Sequence, residues 1–337
     1  MPVPDRAVDA RPAALADAAG AIAGALGEWG LPPATRLDLI TESENATFLA
    51  TGSDGRRRVV RLHRAAYNDA AAIRSEHAWI EALRQDGIVR TPAVLARFDG
   101  ATVGEARIGE GIRHVAVFEF ADGAEPPVDR DLPRWFERLG AITARLHTHS
   151  RTWTRPAGFT RRVWDFERSL GSRAHWGDWR AARGLDASGQ AVLARAVAAI
   201  ERALAAYGAS PEQFGLIHAD LRLANLLAAG DELSVIDFDD CGFGWFMADF
   251  AAAISFIEHE PVVPDLQAAW VEGYRSVAPL RRDDAAMLPV FVLLRRILLT
   301  AWAASRRDGE TASRYGEWYT AGTVELAERF LTQFPKA

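Results

Sequence analysis

The chain has 337 residues, 49% of them apolar, and a net charge of −6. That balance supports a substantial core, excludes wholesale disorder and gives no bulk attraction to nucleic acid. Positive charge is almost all arginine, the only lysine being Lys336, and the single cysteine, Cys241, allows no intrachain disulfide and no metal-type Cys/His cluster.

The N-terminus carries Asp5, Asp9 and Asp17. It lacks the basic start and apolar stretch of a signal peptide. Residues 12–29 are alanine-rich and read as a helix ended by Gly30 and Pro32. A β-rich stretch follows. RLDLIT (36–41), ATFLAT (46–51) and RVVRLH (58–63) read as strands, with Glu42–Asn45 and Gly52–Gly55 as turns. DAAAIRSEHAWIEALRQ (69–85) has helical spacing, and AVLARF (93–98) and HVAVFEF (114–120) read as two more strands. ADGAEPP (121–127) is a linker by composition. Beyond it LPRWFERLGAITARLH (132–147) puts Leu132, Trp135, Leu139, Ile142 and Leu146 on one face. Further helices are expected near 189–206, 245–258, 264–277, 284–305 and 314–333. The most apolar region, Met287–Ala304, is interrupted by Pro289, Arg295 and Arg296. A bilayer core penalises such an arginine pair, so this reads as the buried helix of a cytoplasmic protein without a membrane partner. The expected class is α+β, with an N-terminal lobe over 1–120 and a mainly helical lobe over 121–337.

Inside the helical part lies LIHADLRLANLLAAGDELSVIDFDD (216–240). Its apolar runs 221–227 and 233–236 carry acids at their ends. Paired as a hairpin through 228–231, they bring Asn225 close to Asp237. Two hard oxygen donors suit Mg²⁺, which takes its remaining ligands from water and phosphates. Asp220 would sit at the edge of that site, free to accept a proton from a hydroxyl. Arg222 would add a cation near a transferred phosphate. Taken singly, each aspartate reads more readily as a turn residue or helix cap; the joint pattern H-x-D-x-x-x-x-N followed by D-F-D carries the signal.

HADLRLANLL followed by VIDFDDCGFGWFMADFA resembles the aminoglycoside phosphotransferase/choline kinase superfamily, in particular its homoserine kinase-like and stress-response kinase A-like branch. The resemblance runs from about residue 35 to about 330. It implies a bilobal protein-kinase-like fold, with an antiparallel sheet and one helix in the first lobe. It implies Asp220 as catalytic base, Asn225 and Asp237 as Mg²⁺ ligands, and Asp239 as an aid to the metal or the loop. It makes His218 a scaffold and Asp249 a brace for the loop backbone. Ala219 stands where the family usually has glycine, and Arg222 where histidine is common.

The first lobe fits less closely. The turn Glu42-Ser43-Glu44-Asn45 has no glycine to let backbone amides approach a phosphate; Ser43 and Asn45 can donate from their side chains instead. Arg61 stands where the kinase lysine would be. Glu76 falls within the apolar stripe of Ile73, Ile80 and Leu83, where a carboxylate needs a partner, and Arg61 is the obvious one. The alternatives are a solvent-facing Arg61 and a solvated Glu76. The backbone of Glu119, Phe120 and Ala121 is expected to meet adenine.

His147 and His149 read as a helix end rather than a metal pair, and Cys241 as a packed thiol. Of the eleven tryptophans, Trp164, Trp176 and Trp179 are the ones to test as a pocket for a cation against a core role. The expected activity is transfer of the ATP γ-phosphoryl group, with Mg²⁺, to the hydroxyl of a small molecule. An amino alcohol or a hydroxy amino acid resembling homoserine is favoured as acceptor. The alternatives are a Ser/Thr protein kinase, an aminoglycoside phosphotransferase, or a nucleotide-binding regulator with little chemistry.

Overall fold

The computed structural model describes residues 10–32, 34–42, 45–127, 131–230, 232–306, 312 and 314–334. They form two compact units. The first holds the described residues of Met1–Gln85, Thr91–Asp122 and Pro156–Thr160; the second holds those of Asp86–Arg90, Gly123–Arg155 and Arg161–Ala337.

The first unit is an antiparallel sheet of five strands, β1 (Arg36–Glu42), β2 (Ala46–Thr51), β3 (Arg57–Leu62), β4 (Gly104–Ile108) and β5 (Gly111–Glu119), in the order β1-β2-β3-β5-β4. In β2 the strand period sends Ala46, Phe48 and Ala50 inward. They meet Val60, Leu62, Val115 and Val117 from the neighbouring strands. Helix α1 (Ala10–Ala25) and the turn after it cover the same face, with Ala18, Ile22 and Leu26 joining this core. The N-terminal segment is therefore part of the sheet's packing, a point that composition alone leaves open. Helix α2 (Ala70–Gln85) begins at Asp69, whose carboxylate accepts the Ala72 amide at 2.7 Å, and buries Ile73, Glu76, Trp79, Ile80 and Leu83.

The segment 93–98, expected as a strand, supplies only the bridge from Val94 to Phe118. The Arg97 amide donates to Ala101, so the chain turns back at once. The strand beside β5 is instead Gly104–Ile108, where the alternation of a short GEARI segment is too brief to stand out.

The second unit is mainly helical. Its helices are α3 (Leu132–Thr152), the single turn α4 (Phe166–Ser169), α5 (Ala187–Tyr207), α6 (Ala248–Ala253), α7 (Val263–Arg275), α8 (Arg282–Ala286), α9 (Leu288–Ser305) and α10 (Glu317–Gln333). Helices α3 and α7 cross with their backbones in contact. A Cβ at Gly140 would lie 2.0 Å from the Trp270 carbonyl oxygen, and one at Gly273 would lie 1.8 Å from that of Glu137. No other residue fits either position. The stretch Arg282–Ser305 is the one among the described residues long and apolar enough to cross a membrane, and 78% of its most apolar 18-residue window is buried within the protein.

Two small sheets interrupt these helices. In one, β10 (Gly242–Trp245) lies between β6 (Val163–Trp164) and β7 (Phe214–Ile217). The other is the hairpin of β8 (Leu226–Ala229) and β9 (Glu232–Val235). The segments leaving β7 and β9 carry His218, Asp220, Asn225, Asp237 and Asp239.

Candidate active site

Strand β7 buries Leu216 and Ile217 and delivers the chain to His218. The next residue, Ala219, has φ 67°, a region that a β-carbon disfavours. Asp249, in the first turn of α6, fixes it there. The Ala219 amide donates to Asp249 Oδ1 at 2.7 Å and the His218 amide to Oδ2 at 3.2 Å. Asp249 is itself held by His147, whose Nε2 lies 3.0 Å from Oδ2, while Nδ1 meets the Tyr274 hydroxyl at 3.1 Å. Burial pushes the His147 imidazole below its ordinary value and the Tyr274 phenol above its own. A neutral His147 therefore donates from Nε2 to Asp249 and accepts at Nδ1 from Tyr274. His149 lies in the last turn of α3, as expected, while His147 stands a half-turn earlier and has a bracing role that a helix end does not suggest. The helix continues to Thr152, and the two imidazoles serve different partners, His149 facing Asp86 at 3.1 Å.

Beyond Ala219 the chain folds back on Asp220. The Arg222 amide donates to the Asp220 carbonyl and the Asn225 amide to the Arg222 carbonyl, both at 2.9 Å, closing a 3₁₀ turn over Leu223–Asn225. The run 221–227 is thus a turn first and a strand only from Leu226. Because of that turn, Asn225 Nδ2 reaches both the Asp220 carbonyl (2.8 Å) and its Oδ2 (2.9 Å). Both amide hydrogens are used, and the Asn225 side-chain oxygen is left to accept or to ligate. Arg222 Nε approaches Oδ2 at 3.4 Å. The charge of Asp220, and then that of Asp237, raise the Arg222 guanidinium against the effect of its burial.

The hairpin register pairs Leu226 with Val235, and the Ile236 amide donates to the Asn225 carbonyl at 2.9 Å. Asn225 thus stands across from Ile236, one residue from Asp237, which is exposed and has φ 62°. His218 ties the two loops. Its Nε2 donates to the Ile236 carbonyl at 3.2 Å, and its Nδ1 accepts the Asp220 amide at 3.3 Å. Asp239 is only 4% exposed. Its carbonyl is gripped by the Arg161 guanidinium, which also takes the carbonyls of Cys241 (2.6 Å) and Phe238 (3.5 Å).

Among the described residues no group of three or more His, Cys, Asp or Glu is arranged to hold a metal ion. A divalent cation here would have one carboxylate, Asp237, and one amide oxygen, Asn225, and would depend on phosphates and water for the rest. That sparse set of hard oxygen donors fits a metal–nucleotide complex better than a resident structural ion.

In the first unit Arg61 Nη1 meets Glu76 Oε1 at 2.7 Å, with Glu76 fully buried. Asn45 is 8% exposed, and its Oδ1 accepts the Arg64 amide at 3.0 Å, so its carbonyl end fastens the turn to the end of β3. Ser43 lies outside the described residues. Glu119 is exposed, with Arg84 Nη2 at 4.0 Å, and the Phe120 ring lies under the Arg57 guanidinium at 3.8 Å. Ala121 follows the end of β5.

Three participants escaped the sequence reading: His147, Arg161 and Arg295. Arg295 Nη2 meets Asp220 Oδ1 at 2.7 Å. The available signal was the arginine pair within the most apolar helix, since a buried guanidinium requires a carboxylate or several carbonyls. Trp164, Trp176 and Trp179 are all buried, with the Arg295 guanidinium 5.1 Å from the Trp176 ring centre. They pack the core behind the loop.

The residues 39–280 match the model of the phosphotransferase enzyme family, APH. Among solved structures, the chain is 44% identical to a microcompartment-associated aminopropanol kinase, covering 93% of this chain and 97% of that one with a TM-score of 0.86. It is 27% identical over 237 residues to the amicoumacin kinase of Bacillus subtilis (strain 168), covering 66% of this chain and 67% of that protein. An amicoumacin kinase solved with AMP-PNP, Ca²⁺ and Ami shares the fold at 21% identity and a TM-score of 0.72, with 87% and 88% of the two chains covered. The fold is protein-kinase-like, and the match spans the loop, the hairpin and the brace described above: the chain belongs to the phosphotransferase enzyme family and is a kinase with an alcohol group as acceptor.

Proposed function

We propose that the chain transfers the γ-phosphoryl group of ATP, with Mg²⁺, to the hydroxyl of a short amino alcohol of the aminopropanol kind, in the cytoplasm. The observation that carries this reading is the 44% identity to an aminopropanol kinase along 93% of the chain. A hydroxy amino acid resembling homoserine differs from such an acceptor by a carboxylate, and nothing at the site singles that carboxylate out.

In this reading Asp220 accepts the hydroxyl proton as the oxygen attacks phosphorus. Asn225 and Asp237 hold the cation, which when bound neutralises phosphate charge. Asp239 stays within the loop that Arg161 fastens and sets where Asp237 stands. Arg222, beside both acids, offers its positive charge to the transferring phosphoryl group. Arg61, oriented by Glu76, meets nucleotide phosphates, helped by Ser43 and Asn45. The backbone of Glu119, Phe120 and Ala121 receives the adenine. Such catalysis is mainly positioning and charge stabilisation, which a rigid, cross-braced loop supplies.

The test is a steady-state comparison of 1-aminopropan-2-ol, ethanolamine, choline, homoserine, an aminoglycoside and amicoumacin. The highest kcat/KM is expected for the aminopropanol. A preference of tenfold or more for homoserine or for an antibiotic would replace the proposed acceptor class.

A further inference from the structure

We infer that Arg295 is a positioning residue for phosphoryl transfer, one guanidinium fixing the Asp220 carboxylate together with the carbonyl of left-handed Ala219. The inference rests on the proposed role of Asp220 and adds a residue 75 positions away in the chain.

Arg295 projects from the apolar helix α9 and is 7% exposed, a costly place for a charge without partners. Each of its nitrogens has one. Nε meets Ser255 Oγ at 3.1 Å, Nη1 donates to the Ala219 carbonyl at 3.2 Å, and Nη2 meets Asp220 Oδ1 at 2.7 Å. The planar fork fixes the separation of the groups it binds, which a lysine ammonium cannot do. Ala219 is thus held from both sides, its amide by Asp249 and its carbonyl by Arg295. A non-glycine residue persists in the left-handed region when its surroundings over-determine it.

The same contact decides which lone pair Asp220 can offer. A carboxylate has about four acceptor directions. Asn225 and Arg222 occupy Oδ2, and Arg295 occupies one side of Oδ1. The carboxylate is 18% exposed, so one direction on Oδ1 is left for an acceptor hydroxyl. Without Arg295 the group can rotate about its Cβ–Cγ bond and lose that aim.

The test uses the full chain with ATP, Mg²⁺ and 1-aminopropan-2-ol. Arg295→Lys keeps the charge and loses the fork. Its kcat is expected to fall by about 10²-fold, as misplacement of a catalytic group does, with KM for ATP within about twofold of wild type. Adding Ala219→Gly is expected to restore the melting temperature but not kcat. In Arg295→Ala, millimolar guanidinium is expected to raise kcat several-fold where methylammonium does not. The truncation opens onto a cavity of about 30 Å³ that Arg295 and Ala219 already line, so the small ion has room. An Arg295→Lys kcat within threefold of wild type, or recovery of kcat by Ala219→Gly, would overturn the inference while leaving the proposed function intact. Turnover unaffected by Asp220→Asn would overturn the reading beneath it.

Discussion

Arg295 and Arg296 are adjacent in one apolar helix, and both are buried, yet they do different work. Arg296 faces a closed interior: Nη1 meets Glu258 at 2.7 Å, Nε meets Thr323 Oγ1 at 2.8 Å, and the guanidinium lies 3.5 Å from the Tyr319 ring centre. Both side chains of that ion pair are 1% exposed or less. Arg295 also meets one carboxylate, but Asp220 is partly open to solvent and shared with Asn225 and Arg222. Consecutive residues on a helix point about 100° apart, which is enough to give one charge to the fold and the other to the site. A buried arginine thus becomes informative about function only when its partner is seen.

The comparison breaks if the two carboxylates behave alike, and the largest contrast should come from Asp220 itself. Asp220→Asn is expected to lower kcat by about 10²–10⁴-fold with nucleotide affinity nearly unchanged, as measured by steady-state kinetics and ATP titration. Arg296→Ala should instead act on the fold. Removing one partner of a buried pair is expected to cost about 3–5 kcal/mol, read from urea unfolding. An Arg296→Ala protein with wild-type stability would mean that Glu258 is not stranded by the loss.

A finer contrast lies within the site. Asp237→Asn is expected to weaken Mg²⁺-dependent nucleotide binding by about 10–100-fold and to leave unfolding little changed. Equal loss with and without the cation would make Asp237 a turn residue. The smallest effect concerns pH. Burial holds His147 neutral in the folded protein, below the ordinary imidazole value of 6.5. The unfolded chain takes up that proton from about pH 6.5 downward and the folded chain does not. The stability linked to His147 is therefore complete above that pH and lost as pH falls toward the folded value. His147→Gln should flatten the fall in stability from pH 6.5 to 5 by at most about 1.4 kcal/mol per pH unit. It should not abolish the fall, since burial also lowers His149 and His175. An unchanged slope would remove His147 from the brace.

Much of this was legible in sequence because it is local. The alternation of Ala46, Phe48 and Ala50 gives β2 its inward face, and Glu76 stands out because a carboxylate does not belong in the stripe of Ile73 and Leu83. The spacing of Asp220, Asn225 and Asp237 spans one turn and one hairpin, short enough to read. What could not be read is long-range. His147 meets Asp249 across 102 residues and Arg161 meets Asp239 across 78, and neither pair leaves a periodic trace. The expected strand over 93–98 was cut short for the opposite reason: its pattern is right and 93–95 reach β5, but the Arg97–Ala101 turn withdraws the rest from the sheet.

The most direct test is phosphorus-31 NMR of ATP, Mg²⁺ and 1-aminopropan-2-ol incubated with the wild-type chain. The account predicts ADP and O-phosphorylated amino alcohol in equal amounts, with neither formed when the acceptor is omitted. ADP accompanied by inorganic phosphate, at a rate indifferent to the acceptor, would contradict it.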